Sequence, residues 1–338
     1  MFSQFGCLAL IGYLFLLPTI FAIDNGIGLT PPMGWRHWKA FYAHINQDII
    51  ETMMDELTTK YPVDGVPTSL AELGYIYVGL DDHWQNCTVV CPNGTVVPSW
   101  KPKPGSNGHG PDYNYQGCVD ATGNAVPGSR AIPWYSDGTD PNMGPYGTPQ
   151  VDKVRFPDMK AMTTKAHSLG LRAGWYMGNY QCSGANNQCN NGGRRGVNCS
   201  GWDMPRLVEG SVKAVVDYGF DSVKLDSGFG VASNLTLWAQ LFNQTGRPVM
   251  MENCHQGGDG PGIKGDARND HNCTGLTPIS DCPFNFWRTT GDPEPGWGTI
   301  MREMNSLRKD VNPYYGSGKR GGCWDGGMVE VLWVSWRA

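Results

Sequence analysis

The stretch Val223-Lys224-Leu225-Asp226-Ser227-Gly228-Phe229-Gly230 follows a short apolar run, Tyr218-Gly219-Phe220-Asp221-Ser222-Val223, and opens at once into glycines. That pattern reads as a buried strand whose C-terminal end becomes a loop. Alternation with a period of two sends Lys224 and Asp226 to one face of the strand, so an ammonium and a carboxylate share an environment and the aspartate stays ionised. An isolated Lys-x-Asp triplet serves a structural ion pair about as often as a site, so the other segments must decide.

The same strand-then-loop pattern recurs on both sides. Pro31-Pro32-Met33-Gly34-Trp35-Arg36-His37-Trp38 gives a stiff entry and an aromatic strand, and Ile49, Ile50, Met53, Met54 and Leu57 recur at helical spacing over 46–60. Tyr75 to Leu80 is a second buried strand ending on Asp81-Asp82-His83-Trp84. Residues 86–151 carry little periodicity and many Gly, Pro and Asn, the composition of a long functional loop or an insertion tied by disulfides. A helix beginning at Phe156 stops at Gly170, Leu171 to Tyr176 is strand three, and a helix over 204–218 feeds the Lys224 strand. Residues 234–245 read as helix, Pro248 to Met251 as strand five with Glu252-Asn253-Cys254-His255 as its terminal loop, and Phe284 to Arg288 as strand six. Thr289-Thr290-Gly291-Asp292 then precedes a helix over 297–307.

Six recurrences of strand, loop and helix predict an α/β fold with a parallel sheet and crossover helices. In a (β/α)8 barrel of the TIM type the loops after the strands share one rim, which brings Trp38, Asp81, Asp82, Tyr176, Lys224, Asp226, Arg288 and Asp292 together. A doubly wound sheet is the alternative, but no G-x-G-x-x-G follows the first strand.

With 46 glycines and 24 prolines among 338 residues the chain is rich in loops, yet 40% hydrophobic content is enough for a large core. A net charge of −5 gives no reason to expect nucleic acid or an anionic membrane as partner. Residues 1–22 have an apolar run from Leu8 to Leu17, then Pro18 and small Ala22, which predicts a secretory signal peptide too short to span a membrane. Of eleven cysteines Cys7 falls in that leader; the remaining ten, with sequons at Asn86, Asn93, Asn198, Asn234, Asn243 and Asn272, predict disulfides and glycosylation on a secretory route. The destination is outside the cell or a compartment of the lysosome or vacuole type. The seven histidines show no metal-ligand spacing, so neither metal nor cofactor is expected.

A rim of aspartates and aromatic rings suits glycoside hydrolysis, which needs two carboxyl groups flanking the anomeric carbon. Asp226 beside Lys224 is the candidate nucleophile and Asp292 the candidate acid.

At this point a resemblance becomes specific. Asp24-Asn25-Gly26 through Thr30-Pro31-Pro32-Met33-Gly34-Trp35-Arg36-His37-Trp38 resembles the opening D-N-G-L-x-x-T-P-P-M-G-W-x-x-W of glycoside hydrolase family 27, the α-galactosidase (melibiase) and α-N-acetylgalactosaminidase family. Leu80-Asp81-Asp82-His83-Trp84 is similar to its I-D-D-x-W, Gly174-Trp175-Tyr176 to G-I-Y, Lys224-Leu225-Asp226 to K-[FY]-D, and Arg288 through Asp292 to R-x-x-x-D, all in the family's order. The resemblance implies a retaining double displacement on terminal α-linked galactose, with Asp226 as nucleophile and Asp292 as acid/base. It implies that Asp81 and Asp82 hold the O4 and O6 hydroxyls, that Lys224 and Arg288 bind ring hydroxyls, and that Trp38 and Tyr176 line the pocket. The same resemblance implies that Glu252 is the counterpart of the residue that reads the sugar's 2-substituent, and an α-N-acetylgalactosaminide is the alternative substrate.

The departures are also specific. Gly228 stands where the family commonly has a cysteine, so Cys182 needs another partner, Cys189 or Cys199. His83 replaces a cysteine after the aspartate pair, and that cysteine's usual partner near the first strand is also lost, at Tyr42-Ala43. The chain stops seven residues after Gly322 to Val331, which resembles strand seven with Gly326-Gly327 for the family's Pro-Asp. The expectation is an incomplete barrel over 23–338, about seven strands without the family's C-terminal antiparallel β-domain, and with exposed edges. A non-catalytic galactoside binder or an inert remnant is the alternative function.

Overall fold

A computed structural model of the chain describes residues 25–28, 30–86, 88–98, 101–102, 113–114, 130–132, 135–136, 145, 147–178, 203–226, 230–232, 234–254, 283–287, 296–298 and 301. Six strands form its central sheet: β1 Met33–Arg36, β2 Tyr75–Gly79, β3 Arg172–Met177, β4 Ser222–Asp226, β5 Met250–Cys254 and β6 Phe286–Trp287. All are parallel, and each lies beside the next in chain order. A doubly wound sheet reverses its order at a switch point; this one does not, so that alternative is set aside.

The sheet is curled. In a flat sheet β1 and β5, four places apart, would be separated by about 19 Å. Here Arg36 of β1 donates to Glu252 of β5 at 2.7 Å. Closer to the strand starts, the Asn25 amide donates to the Val249 carbonyl (2.9 Å), while the Asn285 amide donates to Asn25 Oδ1 (3.0 Å) and the Ile27 carbonyl (3.1 Å). The segment before β1 therefore closes onto the beginnings of β5 and β6, the curvature of a (β/α) barrel.

Among the described residues four crossover helices cover the outside: α1 Gln47–Thr58, α2 Met159–Ser168, α3 Met204–Tyr218 and α4 Leu235–Thr245. Each begins where an Asn or Asp side chain can accept from an otherwise orphaned N–H. Asn46 accepts from Ile49, Asp158 from Ala161, Asp203 from Arg206 and Asn234 from Leu237. The apolar positions recur every three or four residues, as in Leu207, Val208, Val212 and Val215 of α3 or Leu235, Trp238, Ala239 and Phe242 of α4, and all of these are buried. Against them the sheet packs Trp175, Val223, Leu225 and Met251, so one apolar layer lies between sheet and helices.

Several sequence expectations are corrected here. Residues 86–151 are more than a loop: Val96–Pro98, Thr88–Val90 and Arg130–Ile132 form a three-stranded antiparallel sheet, and Lys101–Pro102 pairs with Tyr113–Asn114. Strands of two or three residues are too short to show a period. Tyr61–Val63 and Val66–Thr68 form a hairpin that periodicity also passed over, although its Asp64-Gly65 turn, with φ of 51° and 80°, is a recognisable hairpin signal. The aromatic strand ends at Arg36, and Trp38 opens a four-residue helical turn to Phe41. β5 runs to Cys254, so Glu252 is a strand residue and not part of a terminal loop.

The segment expected to be a leader, Cys182, Cys189, Cys199 and the segment expected to form strand seven lie outside the described residues. Cys91 is disulfide-bonded. Among the described residues no helix is long and apolar enough to cross a membrane.

Candidate active site

Register determines which side chains meet. Tyr176 of β3 pairs with Lys224 of β4, and Lys224 with Glu252 of β5, so three polar groups stand side by side on one face of the sheet. Two residues earlier, on the same face, the matching row is Arg36, Gly79, Gly174 and Ser222. The rows are successive layers of the barrel interior. Asp81 and Asp82 arrive from the turn after β2, and Asp226 ends β4.

The groups converge tightly. Lys224 Nζ donates to Asp81 Oδ2 at 3.0 Å, both residues being buried. The Tyr176 hydroxyl donates to Asp226 Oδ2 at 2.7 Å. Backbone amides orient the aspartate pair: Asp82 N donates to Asp81 Oδ1 (2.9 Å) and His83 N to Asp82 Oδ1 (2.7 Å). Trp38 stacks on His83 with ring centroids 5.6 Å apart and planes 10° apart. Its other flank meets Tyr42 edge-on at 5.3 Å. The expected sharing of one environment by Lys224 and Asp226 therefore takes a particular form. Lys224 spans to Asp81, and a tyrosine holds Asp226.

Burial divides the two neighbouring aspartates. It works against charge on both. At Asp81 the Lys224 and Arg36 cations outweigh it and hold the carboxyl at about 2. At Asp82 burial prevails, helped by the Asp81 and Asp226 charges, and the carboxyl is pushed up to about 7. Burial and the Asp226 charge hold the Tyr176 hydroxyl well above its ordinary value, so it remains a proton donor. His37 is fully buried and lowered to about 3; its neutral ring accepts the Asp81 N–H at Nδ1, which places the ring proton on Nε2. His83 is likewise held neutral by burial.

Of the residues expected from sequence, Trp38, Asp81, Asp82, Tyr176, Lys224, Asp226 and Glu252 are brought together. Arg288 and Asp292 lie outside the described residues. Three members were missed. Arg36 shares an interior strand face with Gly34, and a cation on a buried strand was the available signal. His37 gave none, because its partner is a backbone amide. Gln85 is fully buried beside Asp82 and favours its ionised form, although neither amide atom makes a hydrogen bond of ordinary geometry. Among the described residues no group of three or more His, Cys, Asp and Glu could hold a metal ion.

An aspartate held by a tyrosine hydroxyl, beside buried carboxylates, an ammonium and a guanidinium, with an aromatic ring nearby, is an arrangement that can hold a polyol ring and place a carboxyl group against one of its carbons. No family model matches the chain. It is similar to the α-galactosidase of Cyamopsis tetragonoloba, 26% identical over 314 residues that cover 91% of this chain and 53% of the relative. It is similar also to the human α-N-acetylgalactosaminidase, 24% identical over 298 residues covering 85% of this chain and 53% of the relative. Among solved structures it matches an α-galactosidase from Saccharomyces cerevisiae with raffinose, at 18% identity and a TM-score of 0.48, over 89% of this chain and 52% of that one. The chain spans about half the length of the curated relatives it matches. It is thus a relative of the α-galactosidases and α-N-acetylgalactosaminidases, the enzymes of glycoside hydrolase family 27 that its ordered motifs resemble.

Proposed function

We propose that this chain carries the site of a glycoside hydrolase that removes terminal α-linked galactose with retention of configuration. The observation that carries the reading is the Tyr176–Asp226 hydrogen bond of 2.7 Å at the end of β4, beside the buried Asp81–Lys224 pair. The Asp226 carboxylate bonds to the anomeric carbon as the bond from that carbon to the leaving oxygen breaks. The leaving oxygen takes its proton from Asp292. Water then attacks the same carbon and gives a proton to Asp292, and the sugar leaves with its α configuration. Tyr176 stabilises Asp226 as an anion before attack and as a leaving group afterwards. Asp81, Asp82 and Lys224 hold ring hydroxyls, with Arg288 in the same role, Trp38 is the wall, and Glu252 faces the 2-substituent. The natural substrate is an α-galactoside of an oligosaccharide or glycoconjugate, met on the secretory route that the leader, cysteines and sequons describe.

The test is hydrolysis of an aryl α-galactoside and of the matching N-acetylgalactosaminide by the full chain. Turnover of the galactoside is expected, and Asp226→Asn should lower kcat by several powers of ten with little change in sugar affinity. A variant that keeps wild-type turnover would remove Asp226 from the mechanism. Binding of galactose without turnover of either substrate would favour a non-catalytic binder.

A further inference from the structure

Arg36 has no place in the reaction as proposed, yet it sits at the centre of the site's charges. Its Nη2 donates to Glu252 Oε2 at 2.7 Å, and its Nη1 lies 3.7 Å from Asp81 Oδ2, the oxygen that Lys224 also binds. The side chain is only 9% exposed, and the two carboxylates it faces are more deeply buried still. Glu252, Arg36, Asp81 and Lys224 therefore form one alternating chain of charge, joining β5, β1, the turn after β2, and β4.

The interior is shaped for this span. In the layer where Arg36 begins, the next two strands contribute Gly79 and Gly174. A Cβ added to Gly79 would stand 3.2 Å from Arg36 Cγ and 3.3 Å from its Cβ and Nε. The missing side chain at Gly79 thus leaves room for the arginine stem, and the guanidinium emerges in the layer of Tyr176, Lys224 and Glu252. A forked, permanently charged group suits the task, since it can face two carboxylates from one plane.

We propose that Arg36 is a positioning residue that sets Glu252 in the sugar pocket. By binding Oε2 it fixes the carboxylate's rotation and leaves Oε1, which takes no hydrogen bond among the described residues, as the oxygen offered to a ligand hydroxyl. By sharing Asp81 with Lys224 it ties that contact to the one made by the aspartate pair. The inference rests on the proposed glycosidase reading for the ligand, but the tie between the two side chains can be tested without it.

The experiment is a double-mutant cycle of Arg36→Met, Glu252→Gln and the pair in the full chain, followed by thermal midpoint and by KM and kcat on an aryl α-galactoside. Each single change leaves a buried charge without its partner, so each should lower the midpoint, and the pair should lose clearly less than the sum. Arg36→Met should raise KM about tenfold and leave kcat within about twofold, the signature of binding lost equally from ground and transition states. Arg36→Lys should restore part of the affinity. If Arg36→Met does not fold, Gly79→Ala, which crowds the arginine and keeps every charge, should raise KM in the same direction. Strictly additive midpoints, or a fall in kcat with KM unchanged, would overturn the assignment. A wild-type chain that neither binds nor cleaves the galactoside would defeat the glycosidase reading and the ligand half of this one, and coupled midpoints would then stand for the side-chain tie alone.

Discussion

Tyr176 and Asp82 are two site residues whose chemistry departs far from that of ordinary side chains. The Tyr176 hydroxyl is buried and its proton is committed to Asp226, so Tyr176→Phe removes one charge-assisted hydrogen bond and little volume. Such a bond is worth about 1.5–3 kcal/mol, and kcat/KM on an aryl α-galactoside should fall about 10- to 100-fold. A change below about twofold would show that Asp226 is held by other groups. Asp82 predicts a pH effect. Its folded value of about 7 lies above the unfolded one, so the folded chain retains a proton that the unfolded chain has released. That contribution is fully present below about pH 4 and is lost as pH rises through about 7. Asp82→Asn should therefore melt with less pH dependence between about pH 5 and 8 than the wild type. A wild-type midpoint flat over that range would contradict the raised value. Asp81, held at about 2, gives the opposite sign and a window at lower pH.

At the scale of elements, α3 is clamped from outside by the segment that precedes α2. Tyr135 and Ser211 hydroxyls meet at 2.6 Å in a fully buried setting, and Gly147 approaches Gly210 so closely that a Cβ on Gly210 would lie 2.1 Å from the Gly147 carbonyl oxygen. Replacing a helical glycine by alanine ordinarily gains stability, by roughly 0.5–1 kcal/mol. Gly210→Ala should instead cost about 1–3 kcal/mol in denaturant unfolding, because the backbone of the segment must move. A stabilised variant would mean that the contact is loose. The helix could be read from its sequence; the clamp could not, since nothing in a Gly-Ser pair says that another segment rests on it. The sequence reading likewise stopped β5 at Met251, because Glu and Asn are poor strand residues. Pairing along β4 as far as Asp226 and Cys254 outweighs that preference.

Across the whole molecule, the curl depends on contacts between distant parts of the chain. Asn285 is buried, accepts from Met251 N at 2.8 Å, and donates to Asn25 and Ile27, residues 260 and 258 positions away. Asn285→Ala should lose about 3 kcal/mol, one net hydrogen bond of about 1 kcal/mol for each of three partners, measured by denaturant unfolding. A loss within about 0.5 kcal/mol would show that the N-terminal segment is held by packing alone. Strand order, crossover helices and the identity of Trp38, Asp81, Asp82, Tyr176, Lys224 and Asp226 as rim residues were determined by the sequence itself. Each of these is a local pattern, apolar alternation ending in a polar residue, repeated often enough to imply one rim. The partners of those residues were decided only by the tertiary structure. Lys224 reaches Asp81, Arg36 reaches Glu252, and Asp82 differs from Asp81 because curvature and register set the distances among charges, and Coulomb energies in a buried site depend on those distances and on the loss of water.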